Sequence, residues 1–160
     1  MIHRAAGILL VWLMASACAH AEDAASKEVK ELEGEWRAVK IERGGKKSNA
    51  AEATNIRMIF KGNEITLKFV SHPDRVRKKT FRLDPGKSPK EIDISSPDML
   101  PKEIQTQACI YSLVKSQSGS RLILCMPDDP KRDPSKRPTE FKTRAGDGFV
   151  VMVLERVNPK

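Results

Sequence analysis

The sequence predicts an all-β domain, an eight-stranded antiparallel up-and-down barrel with little helix. Three observations carry this. Apolar and polar residues alternate in short runs, most cleanly where Ile65, Leu67 and Phe69 interleave with Glu64, Thr66 and Lys68. The links between runs are short and turn-like, with no room for helical crossovers. The first run opens on Gly34-x-Trp36 and the last, from Phe149 to Val157, is strongly apolar; pairing the two would remove the exposed edges of such a sheet.

Residues 1–21 stand apart from that domain. Arg4 supplies a positive start, Ala5 to Ala15 is nearly all apolar, and small residues follow, which is the pattern of an export signal. The apolar run is too short to span a bilayer. Two cleavage sites compete. Ala19-His20-Ala21 before Glu22 suits ordinary signal peptidase and is preferred. Ala15-Ser16-Ala17-Cys18 resembles a bacterial lipobox, which would place a lipid on Cys18 and anchor the exported protein to a membrane. Residues 22–31 are charged and alanine-rich and read as an N-terminal tether, with a turn of helix leading into Leu32. The barrel domain is expected over 32–157.

The first strand runs to Arg43. Trp36 falls on one face and Val39 and Ile41 on the other, so a bulge or face switch is expected near Ala38. Gly44-Gly45-Lys46 breaks the run. Ser48 to Thr54 suits one or two helical turns capped by Ser48 or Asn49. Ile56 to Phe60 and Ile65 to Phe69 form a hairpin around Lys61-Gly62-Asn63. A turn at Ser71-His72-Pro73-Asp74 precedes a strand from Arg75 to Leu83, ended by Asp84-Pro85-Gly86. Glu91 to Ser95 is a short strand, and Ser96 to Lys102 a loop. Thr106 to Val114 and Arg121 to Met126 make a second hairpin. Pro127 to Pro138 holds four of the ten prolines among many charges, so it reads as a long surface loop, docked by Phe141. Phe149 to Val157 is apolar on both faces, as a strand covered on each side would be. No segment repeats at a fixed period.

The chain resembles a family of small exported lipocalin-like domains abundant in planctomycete bacteria. The likeness runs from about Leu32 to Arg156. It rests on Leu32-Glu33-Gly34-Glu35-Trp36, Ile59-Phe60-Lys61-Gly62-Asn63, Phe81-Arg82-Leu83-Asp84-Pro85 and Pro89-Lys90-Glu91-Ile92-Asp93. Ile110-Tyr111, Leu122-Ile123-Leu124-Cys125 and Arg137-Pro138-Thr139-Glu140-Phe141 complete it. The sequence departs from the family pattern at the Cys109 hairpin, whose turn is longer and where a second cysteine stands. The resemblance implies a lipocalin-like barrel in which the tryptophan plugs one end and a late arginine crosses its ring. Gly34, Trp36 and Arg156 are the residues expected to close it. The family has no established activity and supplies no catalytic residue.

Chemistry is scarce. After removal of residues 1–21, His72 is the one remaining histidine, in a turn before Pro73, so no nucleophile has an evident base. Glycine-rich phosphate loops and HExxH are absent. Asp128, Asp129 and Asp133 are opposed by neighbouring cations and lack EF-hand spacing. Neither Cys109 nor Cys125 has a CxxC partner, so zinc is disfavoured, and no metal or other cofactor is implied. A turn centred near Gln117 would set Cys109 opposite Cys125 and Tyr111 opposite Ile123. That permits a disulfide in an oxidising compartment; two buried free thiols are the equal alternative.

Composition points to partners rather than substrates. The chain carries 29 Lys+Arg against 21 Asp+Glu, formally +8, and loss of the leader removes only Arg4 from this balance. The cations cluster at Lys46-Lys47, at Arg75, Arg77, Lys78 and Lys79, and at Lys131, Arg132, Lys136 and Arg137. Those last two groups make up the candidate anion-binding surface. Nucleic acid is disfavoured, because the phenylalanines and Tyr111 sit in apolar runs instead of among the charges. The expectation is a non-enzymatic exported binding or structural module that meets an acidic polysaccharide or anionic lipid surface. A carrier of a small apolar ligand in the barrel and a hydrolase with an unrecognised carboxylate site are the alternatives. Met58, Phe60, Leu67, Phe69, Phe81 and Leu83, the inward candidates, are large, which favours a filled interior over an open cup.

Overall fold

The structure is a computed structural model that describes residues 22–96, 106–116, 119–130 and 132–157. The leader 1–21 with Cys18, most of the Ser96–Lys102 loop, and Lys131 lie outside the described residues. Residues 22–32 form helix α1. There follow β1 (Gly34–Arg43), β2 (Lys46–Lys47), α2 (Ala50–Thr54), β3 (Ile56–Lys61), β4 (Glu64–Phe69) and β5 (His72–Asp84). β6 (Lys90–Ser95), β7 (Thr106–Ser116), β8 (Gly119–Pro127) and β9 (Phe149–Arg156) complete the chain order.

Eight strands, β1 and β3 to β9, pair antiparallel with their neighbours in chain order, and β9 returns to pair with β1. The sheet is therefore a closed up-and-down barrel. β2 is an addition, held at the end of β1 by Glu42↔Lys47 and Arg43↔Lys46. β1 serves two neighbours, β3 through Gly34–Arg37 and β9 through Trp36–Arg43. Its register with β9 shifts between Ala38 and Lys40, which is the expected face switch: Trp36 and Ala38 join the core before the bulge and Ile41 after it. Asn49 caps α2, its side chain accepting from the Glu52 amide at 2.8 Å. Several strands exceed the expected length of about six residues, β5 most of all at 13.

The interior is one apolar cluster. Trp36, Met58, Phe60, Ile65, Phe81, Leu83, Ile92, Ile94, Cys109, Tyr111, Leu122, Leu124 and Leu154 are all buried in it. Phe60 meets Phe81 edge to face, with ring centroids 5.4 Å apart. A second, smaller cluster lies outside the sheet, where Ile110, Cys125 and Val151 are covered by Phe141 and Phe149. The chain between β8 and β9 thus packs over the outer face, and β9 is buried on both sides. Thr143 fixes this cover to the β1–β2 turn, accepting from the Gly45 amide at 2.9 Å and donating to Glu42 at 3.1 Å.

Residues 22–31 are not a tether. They belong to a helix docked across the Trp36 end of the barrel. Val29 and Leu32, three apart and so on one face, pack into the core. The Glu28 carboxylate accepts from the Tyr111 hydroxyl at 2.5 Å and pairs with Lys90. Glu31 pairs with Lys115 at 2.8 Å, and that bond holds its carboxyl below the usual carboxylate range. The helix end is satisfied by the barrel: Trp36 Nε1 donates to the Leu32 carbonyl at 2.7 Å, and the Arg156 guanidinium donates to the Glu31 and Glu33 carbonyls. A cation at a helix C-terminus also complements the helix dipole.

Arg156 stands opposite Trp36 in the β1–β9 register and its guanidinium carbon lies 4.5 Å from the indole centroid. Gly34, at φ +114°, leaves the room: a Cβ there would sit 3.0 Å from an Arg156 nitrogen. Replacing Arg156 by Leu removes a cation–π contact and uncaps two carbonyls, which should cost roughly 1–3 kcal/mol. Gly34→Ala should cost a similar roughly 1–3 kcal/mol through backbone strain and displacement of the arginine. Urea unfolding midpoints check both; a change below about 0.5 kcal/mol in either variant would refute the closure role.

Candidate functional site

The candidate anion-binding surface divides sharply once its cations are placed. Arg137 is not a surface ligand. Its Nη1 donates to the Cys109 carbonyl at 2.6 Å, its Nη2 meets Asp93 at 2.6 Å and its Nε lies 3.3 Å from Glu91. It clamps the β8–β9 connection onto β6 and β7. Arg132 is likewise internal: it donates to the Asp147 carbonyl at 2.6 Å and lies over the Phe149 ring at 4.2 Å. Lys79 sits opposite Ile65 on the inner face and donates to Gln107 Oε1 at 3.0 Å, while Gln107 Nε2 donates to the Pro127 carbonyl. Burial lowers the Lys79 pKa. These three groups are spent on the fold, which corrects the expectation for them. Lys136 is exposed, beside Asp133.

Arg75, Arg77 and Lys78 differ. All are exposed, and among the described residues none is ion-paired. Lys68 on β4 is exposed too. Asp74 is the sole acid between Ile65 and Thr80. The pairing explains why these side chains stand clear. β5 and β6 pair from Asp84↔Glu91 only to Thr80↔Ser95. Beyond that, among the described residues, His72–Lys79 is held by β4 alone. The register also shifts between Lys68 and Phe69, so the arm ends in a bulge. The result is a basic arm that, among the described residues, is two-stranded and paired along one edge only.

Partly buried apolar side chains line both barrel ends, Ile41, Ile56, Leu67 and Met126 toward the arm and Val29 and Leu113 toward Trp36. Val70 and Val76 on the arm are 56% and 46% exposed. The sequence reading passed over both. Parity identifies Val76: Phe81 and Leu83 face inward, so an even-numbered neighbour faces out.

Two further groups test the enzymatic alternative. Glu91 and Asp93 share the outer face of β6, but both are engaged by Arg137. Asp128 pairs with Arg43 at 3.0 Å, and the Asp133 carboxylate accepts from the Ser135 amide. Among the described residues no group of three His, Cys, Asp or Glu side chains is placed to hold a metal ion. His72 bonds its neighbour Ser71 at 2.9 Å, exposed at the arm tip.

Cys109 and Cys125 are free and buried, and the expected facing pair is wrong by one residue. Ile110 stands opposite Cys125, and Tyr111 opposite Leu124 rather than Ile123. Pairing continues to Ser116↔Gly119, so the hairpin is tighter than a turn centred on Gln117 allows. Because side chains alternate faces, a slip of one sends Cys109 inward and Cys125 outward beneath Phe141. No family model, curated protein or solved structure matches the chain.

Burial pushes both thiols up to about 12. Unfolded thiols titrate near ~8.5, so between these values the unfolded chain releases protons that the folded one keeps. Stability should therefore fall as pH rises from ~8.5 towards about 12, with no thiol contribution below that window. Cys125→Ala should flatten the alkaline limb of a stability–pH curve. Unfolded without reductant, Cys109 and Cys125 should both be alkylated; protection of both would restore the disulfide.

Proposed function

We propose that this is an exported, non-enzymatic binding module that engages an acidic partner through the β4–β5 arm. One observation carries the reading: Arg75, Arg77 and Lys78 stand exposed and, among the described residues, without an ion pair on a strand segment paired along one edge, while Arg132 and Arg137 of the β8–β9 connection are held within the fold. Net positive charge raises the local concentration of a polyanion, and unpaired exposed cations lose no internal partner on binding it. Export rests on the leader pattern at residues 1–21, and the planctomycete family resemblance points to the same compartment. The large side chains packed in the barrel core among the described residues favour an outward contact surface, which sets this reading above an apolar-ligand carrier. A hydrolase is disfavoured because Glu91 and Asp93, neighbouring acids on the outer face of β6, are held by Arg137.

Binding to a soluble sulfated dextran across a salt series tests it. The complex should weaken steadily between ~0.05 and ~0.5 M salt, since exposed charges are screened beyond ~8 Å at physiological ionic strength. Replacing Arg75, Arg77 and Lys78 together by Glu should abolish binding with little effect on stability. Unchanged binding in that variant, with new self-association, would mean that the charges merely guard an edge strand. Salt-independent uptake of an apolar ligand would favour the carrier instead.

A further inference from the structure

We infer that the acidic partner is an anionic lipid bilayer, into whose headgroup layer the arm places Val70 and Val76. This rests on the acidic-partner reading above and narrows it. Four large apolar side chains are notably exposed among the described residues: Val70 at 56%, Val76 at 46%, Val114 at 46% and Val157 at 38%. Two lie at each end of the barrel, and their surroundings differ. Val114 stands opposite Arg121, and both Arg121 and Lys115 are neutralised, by Glu155 and Glu31. Val76 stands opposite Lys68, between Arg75 and Arg77, and none of these cations is ion-paired among the described residues. Val70 follows Phe69 at the tip, its amide held by the Asn55 carbonyl at 2.8 Å.

A soluble polyanion uses the cations and leaves the valines in water. A bilayer surface uses both: the cations meet phosphate headgroups, and apolar side chains among them enter the interfacial layer. The arm is shaped for this. Among the described residues His72–Lys79 has no β6 partner beyond Thr80, and exposed Val70 and Val76 stand with exposed Lys68, Arg75, Arg77 and Lys78 on this segment and its partner strand. Arg77 shares the face of Leu67, Lys78 that of Thr66, so cations flank the tip on both faces of the sheet.

Sedimentation with vesicles tests the inference on the full chain. Vesicles of phosphatidylcholine with about one-third phosphatidylglycerol should bind; phosphatidylcholine alone should not. Val70→Ser with Val76→Ser adds no charge and should weaken vesicle binding ~10-fold while leaving sulfated-dextran binding and the unfolding midpoint unchanged. The triple replacement of Arg75, Arg77 and Lys78 by Glu should abolish both. Vesicle binding equal to that of the parent in the double serine variant would overturn the bilayer inference and leave the acidic-partner reading standing. So would dextran binding with no vesicle binding. Failure to bind either would overturn both readings, and concentration-dependent dimers through the free edge of β5 would assign the arm to a second copy instead.

Discussion

One guanidinium joins three elements. Arg156 is the last residue of β9, it covers the indole of β1, and it collects the terminal carbonyls of α1. A barrel gains its advantage over an open sheet only when first and last strands meet, because only then does no edge remain. Here that seam carries the ring of Trp36 fully inside and the arginine over it. Gly34 makes the approach feasible, and a side chain at that position would stand in the arginine's place. Helix, seam and plug are consequently coupled. Val29 and Leu32 bury against the barrel core, and Arg156 is the cation that meets the helix-end carbonyls among the described residues.

The closure was legible because it follows from few assumptions. Trp36 begins the first extended run, Arg156 ends the last, and closure forces those strands together. The inner face was legible for the same kind of reason: alternation gives Phe81 and Leu83 one side, whatever the twist. Failures arose where one residue decides the outcome. The Cys109 hairpin has no apolar asymmetry to fix its register, since Cys109 and Ile110 are both buried, one on each face. A shift of one therefore left the hydrophobic pattern looking equally good, and the turn decided it. Helix α1 was hidden differently. Its residues 22–31 contain a single large apolar residue, Val29, and their order comes from contacts with Tyr111, Lys90 and Lys115 far along the chain.

Charge was the least legible property. Arg132 and Arg137 belong to a charged, proline-rich run that looks solvated in sequence. In the fold, Arg137 is the clamp that lets an irregular segment cover the outer face of the sheet. Its partners Glu91 and Asp93 are more than forty positions away. A buried or half-buried cation held by two acids and a carbonyl is costly to desolvate a second time, so it is a poor ligand for an external anion. The same reasoning removes Lys79, whose ammonium is turned inward to Gln107. What remains of the candidate surface among the described residues is Lys136 and the compact set on the arm, Arg75, Arg77 and Lys78.

The distribution of acids shows why that remainder matters. At the Trp36 end, Glu28, Glu31 and Glu155 each meet a cation, so the docked helix both seals the barrel and neutralises its rim. At the opposite end the arm carries Lys68, Arg75, Arg77 and Lys78 against Asp74 alone. Those pairs neutralise part of the rim at the Trp36 end, whereas the arm carries its charge on a segment that, among the described residues, is paired along a single edge. Free edges are commonly guarded by lysine and arginine, and that role needs no apolar neighbours. Val70 and Val76 go beyond it. Exposed valines on and beside a strand that, among the described residues, is paired along one edge promote the association that the charges oppose. A guard alone would be stronger without them, so their presence among the cations favours a surface that receives both.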